Sequence, residues 1–334
     1  MSELPVLADS VRLADDGVYI LDRRVFPDRR EWVRCEGVEE VARAIEDMVT
    51  QSSGPYFAAL WAMVLAAREA IDLDGPDAQA YLERAGERLI ATRPTNNHLR
   101  KAVHAVLSTV EGTGAALVES AWRGAVAGDE RYRSRSRALG RHTAALLPDR
   151  ATVLTHCWAD LYLVGLVTGA REAGKELSFY CTETRPYLQG ARLTAETLAE
   201  LGIDTTVITD SMGAALLADG AVDALVTAAD RVTMDGHVVN KIGTLGLAVA
   251  AHAFEVPFHA MVQAPDRLAP TATDVPIEYR SGSEVLAAAG VAHPAIRGHY
   301  PAFDITPPRF VTTVVTDRGA YGPDDLADYY LEDR

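Results

Sequence analysis

Two residues at the ends of short apolar runs could carry acid–base chemistry. The run Val222–Ala229 has the length and composition of a buried strand, and Asp230 follows it directly. The run Thr152–Thr155 is of the same kind, and Cys157 lies two residues beyond it. Ligands of parallel sheets bind at the carboxyl ends of the strands, so both side chains should face one site. A thiol that moves a proton, beside a carboxylate that protonates an oxygen, suits the isomerisation of a sugar phosphate.

The same residue types also have plainer interpretations. A free cysteine is more often an inert, buried small side chain than a catalytic group. Asp230 could cap a turn, Lys241 could be a solvated surface charge, and Asp210 or Ser211 is expected to cap the helix that follows. The position at a strand end favours the catalytic interpretation for Cys157.

A candidate anion site follows Asp230 along the chain. The segment Asn240-Lys241-Ile242-Gly243-Thr244 precedes a small, apolar predicted helix over Leu245–Ala253. Free backbone N–H groups at a helix start, an ammonium group and a glycine that allows close approach predict a phosphate cradle. Further polar side chains follow the predicted strand after Cys157 and leave the sheet at the same edge: Glu183, Arg185, Gln189 and Arg192.

The elements that must position these groups begin with a hairpin and a helical region. Alternating residues around Asp15-Asp16-Gly17 predict a hairpin over Val11–Leu21, which Arg29–Cys35 could extend. Helical periodicity then dominates. The predicted helices are Val38–Val49, Tyr56–Ile71, Pro76–Thr92, Asn96–Thr109, Gly112–Ala127 and a polar, basic helix over Asp129–Leu146.

From Ala151 onward, short β-rich runs alternate with helices, which predicts a parallel, doubly wound sheet. The predicted strands are Thr152–Thr155, Leu177–Cys181, Thr205–Thr209, Val222–Ala228, Phe258–Val262 and Phe310–Thr316, and the predicted helices are Leu161–Ala173, Gly190–Leu201, Gly213–Leu217 and Leu245–Ala253. The fold class is therefore α/β. We expect an N-terminal β-hairpin plus helical domain over residues 1–130, a linker helix over 131–150, and a C-terminal Rossmann-like, mostly parallel sheet over 151–334.

Composition narrows the classes of partner. The 334 residues are 48% hydrophobic and 24% charged, as in ordinary globular proteins, and the net charge of −15 argues against nucleic-acid or acidic-membrane binding. The chain start lacks the pattern of a secretion signal, and no stretch approaches the roughly 20 apolar residues of a membrane span. Three widely separated cysteines lack zinc or redox spacing, so a cytoplasmic protein with free thiols and without a metal is expected.

The order of the motifs resembles one superfamily of sugar-phosphate isomerases. It comprises methylthioribose-1-phosphate isomerase and ribose-1,5-bisphosphate isomerase, and it is related to the regulatory subunits of translation initiation factor 2B. The matching segments run in order along nearly the whole chain: Leu21-Asp22-Arg23-Arg24, Arg93-Pro94-Thr95, Thr155-His156-Cys157, Glu183 to Thr194, Ala229-Asp230-Arg231, Asn240 to Thr244, Pro276-Ile277-Glu278 and Pro301 to Pro307.

The resemblance implies a catalytic pair and a phosphate site. Cys157 and Asp230 match the family's catalytic cysteine and aspartate, which implies ring opening by Asp230 and proton movement between C2 and C1 by Cys157. A hydride shift is the alternative route. The implied phosphate contacts are Arg93, Gln189, Asn240 and Lys241, with Ser53 and Gly54 in the loop that closes over the phosphate. The resemblance also implies a low-pKa thiolate, no cofactor, and a homodimer or larger homo-oligomer.

Four positions depart from the family pattern. Ser52 stands where the loop of the family has an arginine, Trp158 and Asp160 stand beside the thiol where small or amide-bearing residues are usual, and Tyr300 replaces an asparagine. The N-terminal hairpin favours the methylthioribose branch, whereas the short interval from Cys157 to Gln189 favours the ribose-bisphosphate branch.

Two other function classes compete with the isomerase. The loss of the loop arginine would suit a noncatalytic subunit that senses sugar phosphates or nucleotides, like the initiation-factor relatives, whereas retention of Cys157 and Asp230 speaks against it. A dehydrogenase lacks support because no Gly-x-Gly-x-x-Gly motif follows the first strand of the predicted sheet.

Overall fold

The structure, a computed structural model, describes residues 5–93 and 97–333. Residues 94–96, which belong to the matched segment Arg93-Pro94-Thr95 and to the predicted start of a helix at Asn96, lie outside the described residues. The chain divides into two units, of which the first ends at Ser134 and the second begins at Arg135. Each unit is described by itself below.

The first unit opens with an antiparallel three-stranded sheet. Its strands are β1 (Val11–Ala14), β2 (Gly17–Leu21) and β3 (Trp32–Cys35), in the order β1-β2-β3. The turn needs a glycine, because a Cβ at Gly17 would lie 2.4 Å from the carbonyl oxygen of Cys35 and the residue has φ +147°. The predicted hairpin and its third strand are both present.

Helices make up the rest of the first unit. They are α1 (Val38–Glu46), α2 (Gly54–Glu69), α3 (Gly75–Ala91), α4 (Asn97–Leu107) and α5 (Ala115–Leu146), which continues into the second unit.

The sequence prediction of two helices on either side of Gly128 is wrong, because α5 is continuous through this residue. Gly128 instead allows close packing of α5 on α2. A Cβ there would lie 2.7 Å from the side chain of Leu60, and the Tyr56 hydroxyl donates to the Gly128 carbonyl oxygen at 2.9 Å.

The strands of the second unit form two sheets. They are β4 (Arg150–Thr155), β5 (Glu176–Thr182), β6 (Asp204–Ile208), β7 (Ala224–Ala228), β8 (Arg231–Val232), β9 (Val238–Lys241), β10 (Phe258–Met261), β11 (Phe303–Thr306), β12 (Thr313–Val315) and β13 (Ala320–Tyr321). Within the described ranges, the larger sheet has the order β13-β12-β10-β7-β4-β5-β6 and is parallel except for the β12–β13 pair. The predicted doubly wound, mostly parallel sheet is confirmed.

The smaller sheet, in the order β11-β9-β8, is antiparallel, and its pairing of β11 with β9 was not predicted from the sequence. The helices of the second unit, apart from the end of α5, are α6 (Asp160–Glu172), α7 (Ala195–Glu200), α8 (Gly213–Ala218), α9 (Thr244–Ala253) and α10 (Gly282–Ala288). The predicted helix over Gly190–Leu201 begins as a π-helical turn over Gly190–Thr194 before α7.

The core of the second unit lies between the larger sheet and its helices. Leu154, Leu225 and Phe258 on three strands of that sheet are buried together with Leu247 of α9. None of the helices in the described part of the chain is both long and apolar enough to cross a membrane.

Candidate active site

The site lies where the larger sheet reverses its strand order. From β4 the chain adds β5 and β6 on one side and then β7, β10 and β12 on the other. Cys157 follows β4 and Asp230 follows β7, and these neighbouring strands are paired at Val153–Ala224 and Leu154–Leu225. The carboxyl ends of parallel strands at such a reversal form a binding crevice. The structure therefore brings Cys157 and Asp230 to the same edge of the sheet.

The backbone of Cys157 is held in an uncommon conformation. Its φ is +66°, in the left-handed region that residues with a side chain seldom adopt. Its N–H donates to the Thr184 hydroxyl at 2.9 Å, and its carbonyl oxygen accepts a hydrogen bond from the Thr194 hydroxyl. Thr184 precedes the π-helical turn, and Thr194 is the last residue of that turn. These two hydrogen bonds fix the direction in which the Cys157 side chain leaves the end of β4.

The thiol of Cys157 carries its proton in the unliganded protein. Burial raises its pKa to about 11, and the nearby Asp230 carboxylate adds to the shift, while the Lys241 ammonium group opposes it. The prediction of a low-pKa thiolate is therefore wrong for this state. One ammonium group is not enough to offset the desolvation of the sulfur.

The side chain of Asp230 is exposed to solvent, but the surrounding protein removes part of the water around its carboxyl group. This desolvation raises the pKa of its carboxyl above the ordinary value of 3.8, with a further contribution from Glu278, whereas Lys241 and Arg231 lower it. A raised pKa favours the protonated form, which is the form a general acid needs. Its backbone N–H donates to the Val239 carbonyl oxygen at 3.0 Å, so β9 holds the residue in place.

His156 ties the end of β4 to the segment before α9. The Ile242 carbonyl oxygen can only accept, so the His156 Nε2, 2.9 Å away, must carry the hydrogen. The Nδ1 atom then accepts from the Thr182 hydroxyl at 2.6 Å. Burial lowers the pKa of the ring, so His156 is neutral, and we interpret it as a structural residue next to Cys157.

The predicted phosphate cradle before α9 is already partly filled. The Asp304 carboxylate accepts from the backbone N–H of Gly243 at 2.7 Å and from that of Leu245 at 3.2 Å. The prediction that these amide groups are free to hold a phosphate is therefore wrong. Sequence reasoning missed Asp304 because it lies about 60 residues away and reaches the helix through the pairing of β11 with β9.

Lys241 remains available to an anion, whereas Asn240 is engaged. The Lys241 Nζ atom lies 4.3 Å from the centre of the Phe303 ring and is partly exposed. Asn240 is 4% exposed, and its Nδ2 atom donates to the Thr244 hydroxyl at 3.0 Å. One of the two N–H donors of the Asn240 amide is thus used within the protein.

Two buried polar atoms in the segments that follow β4 and β5 lack a partner among the described residues. They are the indole N–H of Trp158, a residue that is 5% exposed, and the Oε1 atom of Gln189, which is 6% exposed. An unpaired buried polar group is costly, so a ligand or water is expected to satisfy both. Two other departures from the family pattern are also buried: Asp160 begins α6 with φ +52°, and Tyr300 lies within electrostatic reach of Cys157.

Several predicted polar groups at this edge brace loops. Glu183 pairs with Arg185 at 3.3 Å, and Arg185 also donates to the Ala288 carbonyl oxygen. The guanidinium group of Arg192 lies 5.8 Å from the centre of the Tyr187 ring.

The prediction that Asp210 caps the next helix is wrong. Its side chain makes no such contact, and it accepts from the backbone N–H groups of Thr184 and Arg185, each at 2.7 Å. Asp210 therefore supports the Thr184 segment that holds Cys157.

Three of the predicted substrate-binding residues belong to the first unit. Ser53 is buried, and Gly54 begins α2 with its Cα so close to Thr50 that a Cβ would lie 1.8 Å from the threonine hydroxyl. Arg93 is half-buried and donates to the Ile45 carbonyl oxygen at 3.3 Å. Their part in phosphate binding stays a prediction. No group of three or more His, Cys, Asp or Glu side chains that could hold a metal occurs within residues 5–93 and 97–333.

A family model described as the initiation factor 2 subunit family matches residues 49–323. The chain belongs to the initiation factor 2 subunit family. The matched range covers α2 to α10 and every strand from β4 to β13, and thus all residues of the site described above.

Two proteins named methylthioribose-1-phosphate isomerase are similar to this chain over nearly its whole length. A methylthioribose-1-phosphate isomerase of Anaeromyxobacter dehalogenans is 39% identical over 94% of this chain and 93% of its own, and one of Pelotomaculum thermopropionicum is 36% identical over 95% and 92%.

Solved structures of the family show the same fold. The 5-methylthioribose 1-phosphate isomerase of Pyrococcus horikoshii has a TM-score of 0.86 at 30% identity and covers 99% of both chains. The translation initiation factor eIF-2B subunit delta of A. fulgidus has a TM-score of 0.84 at 34% identity and covers 96% of both chains.

Proposed function

We propose that the protein is an aldose–ketose isomerase that converts a pentose 1-phosphate to the corresponding ketose phosphate. Methylthioribose 1-phosphate is the first candidate substrate, because similar family members carry that name. 5-Deoxyribose 1-phosphate and ribose 1,5-bisphosphate are related candidates. The observation that carries the proposal is the placement of Cys157 and Asp230 after two paired strands, with Lys241 acting electrostatically on both.

Asp230 acts as the general acid that opens the sugar ring. Its raised pKa favours the protonated carboxyl group, which transfers its proton to the ring oxygen as the bond from that oxygen to C1 breaks. C1 then carries positive charge and keeps its phosphate. The carboxylate that results is the acceptor for the proton of the C2 hydroxyl when the ketone forms.

Cys157 moves the proton between C2 and C1. Because its pKa is about 11, the thiol releases its proton to solvent only within the substrate complex, where the positive charge at C1 favours the ionised sulfur, and the thiolate left at the end of the cycle takes a proton back from solvent. The thiolate takes the C2 hydrogen, which leaves an enol between C1 and C2, and returns a proton to C1. The hydroxyl at C2 becomes the ketone, so the overall reaction is a redox-neutral isomerisation.

The phosphate is held by local positive charge and amide groups. Lys241, Gln189 and the second N–H of the Asn240 amide are the proposed contacts of the second unit. The family resemblance implies further phosphate contacts by Arg93, Ser53 and Gly54. We further propose a cytoplasmic homodimer or larger homo-oligomer that uses no metal or organic cofactor.

Substitution of the catalytic pair tests the proposal. Cys157→Ser and Asp230→Asn should each lower kcat for methylthioribose 1-phosphate by about 100-fold or more, because positioned acid–base groups contribute that much. The measurement is steady-state turnover, with the thermal midpoint recorded to show that both variants fold.

The matched controls are Cys181→Ser, on β5 of the same sheet, and Asp223→Asn, at the opposite end of β7. Both should keep kcat within a few-fold of the native protein. Native turnover in the Cys157 and Asp230 variants would overturn the assignment of these residues.

A further inference from the structure

Asp304 lies directly opposite the residues that precede α9. In the antiparallel pair of β11 with β9, Asp304 faces Asn240 and Phe303 faces Lys241. Cross-strand partners of this kind have their side chains on the same face and in contact. The position of Lys241 therefore depends on β11.

The Asp304 carboxylate fixes the start of α9. One of its oxygens accepts from Gly243 N–H at 2.7 Å, and both lie 3.2 Å from Leu245 N. The first N–H groups of a helix have no partner within the helix, and a carboxylate there also complements the helix dipole. Gly243 has φ +108°, and a Cβ on it would lie 3.0 Å from the His156 ring, so this residue has little freedom to move.

Further hydrogen bonds connect this carboxylate to Lys241. The Thr244 hydroxyl, between the two bound amides, donates to the Lys241 carbonyl oxygen at 2.7 Å, and the Asn240 amide donates to the same hydroxyl. The Ile242 carbonyl oxygen accepts from His156, next to Cys157. The segment from Asn240 to Leu245 is thus held at each end of its length.

A contribution to folding stability does not explain why a carboxylate lies at position 304. Burial raises the Asp304 pKa to about 6, although the two N–H groups oppose this shift. Since the folded pKa exceeds the ordinary value of 3.8, ionisation costs folding free energy as the pH rises through 6. The titratable groups on the elements packed against Asp304 are Lys241 on β9, His156 against Gly243, and His252 at the far end of α9.

We propose that Asp304 is a positioning residue whose ionised carboxylate holds the Asn240–Leu245 segment, and with it Lys241, in the arrangement needed for turnover, and whose protonation releases that segment. The proposal rests on the isomerase function proposed above. In the protonated form the carboxyl group loses the negative charge that strengthens both hydrogen bonds, and the oxygen that carries the hydrogen is a weaker acceptor for a backbone N–H. Activity should therefore fall as the pH drops through about 6.

Amide NMR tests the hydrogen bonds from Gly243 and Leu245 to the Asp304 carboxylate without any substrate. In 15N-labelled native protein, the Gly243 and Leu245 amide signals should shift together between pH 5 and 7 with a midpoint near 6, and in Asp304→Asn neither signal should show this transition. Amide signals of the native protein that do not change across this range would overturn the proposal.

The pH dependence of kcat/KM for methylthioribose 1-phosphate tests the effect on turnover. Asp304→Asn should lower kcat/KM at pH 8 by about 10- to 100-fold, because small displacements of a binding group are that costly, and should lack the acid limb near pH 6. Asp223→Asn, which also removes a carboxylate from a backbone N–H (that of Thr152, at 2.7 Å), should keep the native profile.

A native pH profile in Asp304→Asn would overturn the proposal. If the Asp304→Asn variant does not fold, two measurements on the native protein still test the proposal. The amide titration and the acid limb of the kcat/KM profile must have the same midpoint, near pH 6. The NMR measurement involves no sugar phosphate. It therefore separates a failure of the proposed Asp304 hydrogen bonds from a failure of the proposed isomerase activity.

Discussion

At the scale of single residues, the protonation of Cys157 decides how the reaction can proceed. Burial raises its thiol pKa to about 11, and the Lys241 ammonium group offsets only part of this effect. Cys181, buried in β5 without such a neighbour, has its pKa raised to about 12 by burial alone. The proposed base therefore depends on charge that develops in the substrate, and the competing hydride shift would need no thiolate.

Isotope transfer from C2 separates these two routes. Turnover of methylthioribose 1-phosphate carrying deuterium at C2 should give a ketose phosphate that has lost part of its label to water, because a thiol proton on a partly exposed residue exchanges with solvent. Proton NMR of the C1 position measures the loss. Complete retention of deuterium at C1 would contradict proton transfer by Cys157 and support the hydride shift.

The residue types of the site were predictable, but their ionisation and conformation were not. Cys157 and Asp230 stand out in the sequence because each follows a short apolar run. The sequence does not show that the fold buries the sulfur of Cys157 and thereby raises its pKa. Nor does it show the positive φ of Cys157, which depends on threonines 27 and 37 residues further along the chain.

At the scale of elements, the segment from β5 to α7 acts as the support of the β4 end. Thr184 has φ +63°, and its own N–H donates to Asp210. A Cβ on Gly190 would lie 1.8 Å from the Thr182 carbonyl oxygen, so only glycine lets the π-helical turn approach the strand end this closely. Three strand ends thereby converge on the backbone of Cys157.

Removal of the Thr184 hydroxyl tests this support. Thr184→Val has nearly the same shape but leaves the Cys157 N–H without its acceptor, so kcat should fall by about 10-fold while KM changes little. Steady-state kinetics measures both constants. Thr184→Ser keeps the hydroxyl and should restore most of kcat, whereas equal losses in the two variants would contradict a role for this hydrogen bond.

The larger sheet could be predicted from the sequence, and the smaller one could not. Strands β4, β5, β7 and β10 are buried apolar runs bounded by turns, which local composition predicts well. In contrast, β8 has two residues, and β9 pairs with β11 across about 60 residues, so neither has a local pattern. The missed pairing is also the reason why Asp304, the partner of the α9 amides, was not foreseen.

At the scale of the whole molecule, two properties matter for the proposed function: the chain divides into two units within α5, and it carries a negative net charge. The site residues of the second unit, from Cys157 to Asp304, belong to one compact body that begins at Arg135. The net charge of −15 means that a phosphate must be held by locally placed cations such as Lys241. Relatives named methylthioribose-1-phosphate isomerase match 94–95% of the chain, which makes that substrate the first to test.

The most direct test is phosphorus and proton NMR of the native protein with methylthioribose 1-phosphate, 5-deoxyribose 1-phosphate and ribose 1,5-bisphosphate, each in a separate sample. The account predicts that at least one is converted to a ketose phosphate, with the signals of a C2 ketone and of a phosphate still bonded to C1, and that Asp230→Asn does not do this at a comparable rate. Binding shifts without conversion of any of the three would contradict the isomerase and support a noncatalytic, sugar-phosphate-sensing subunit.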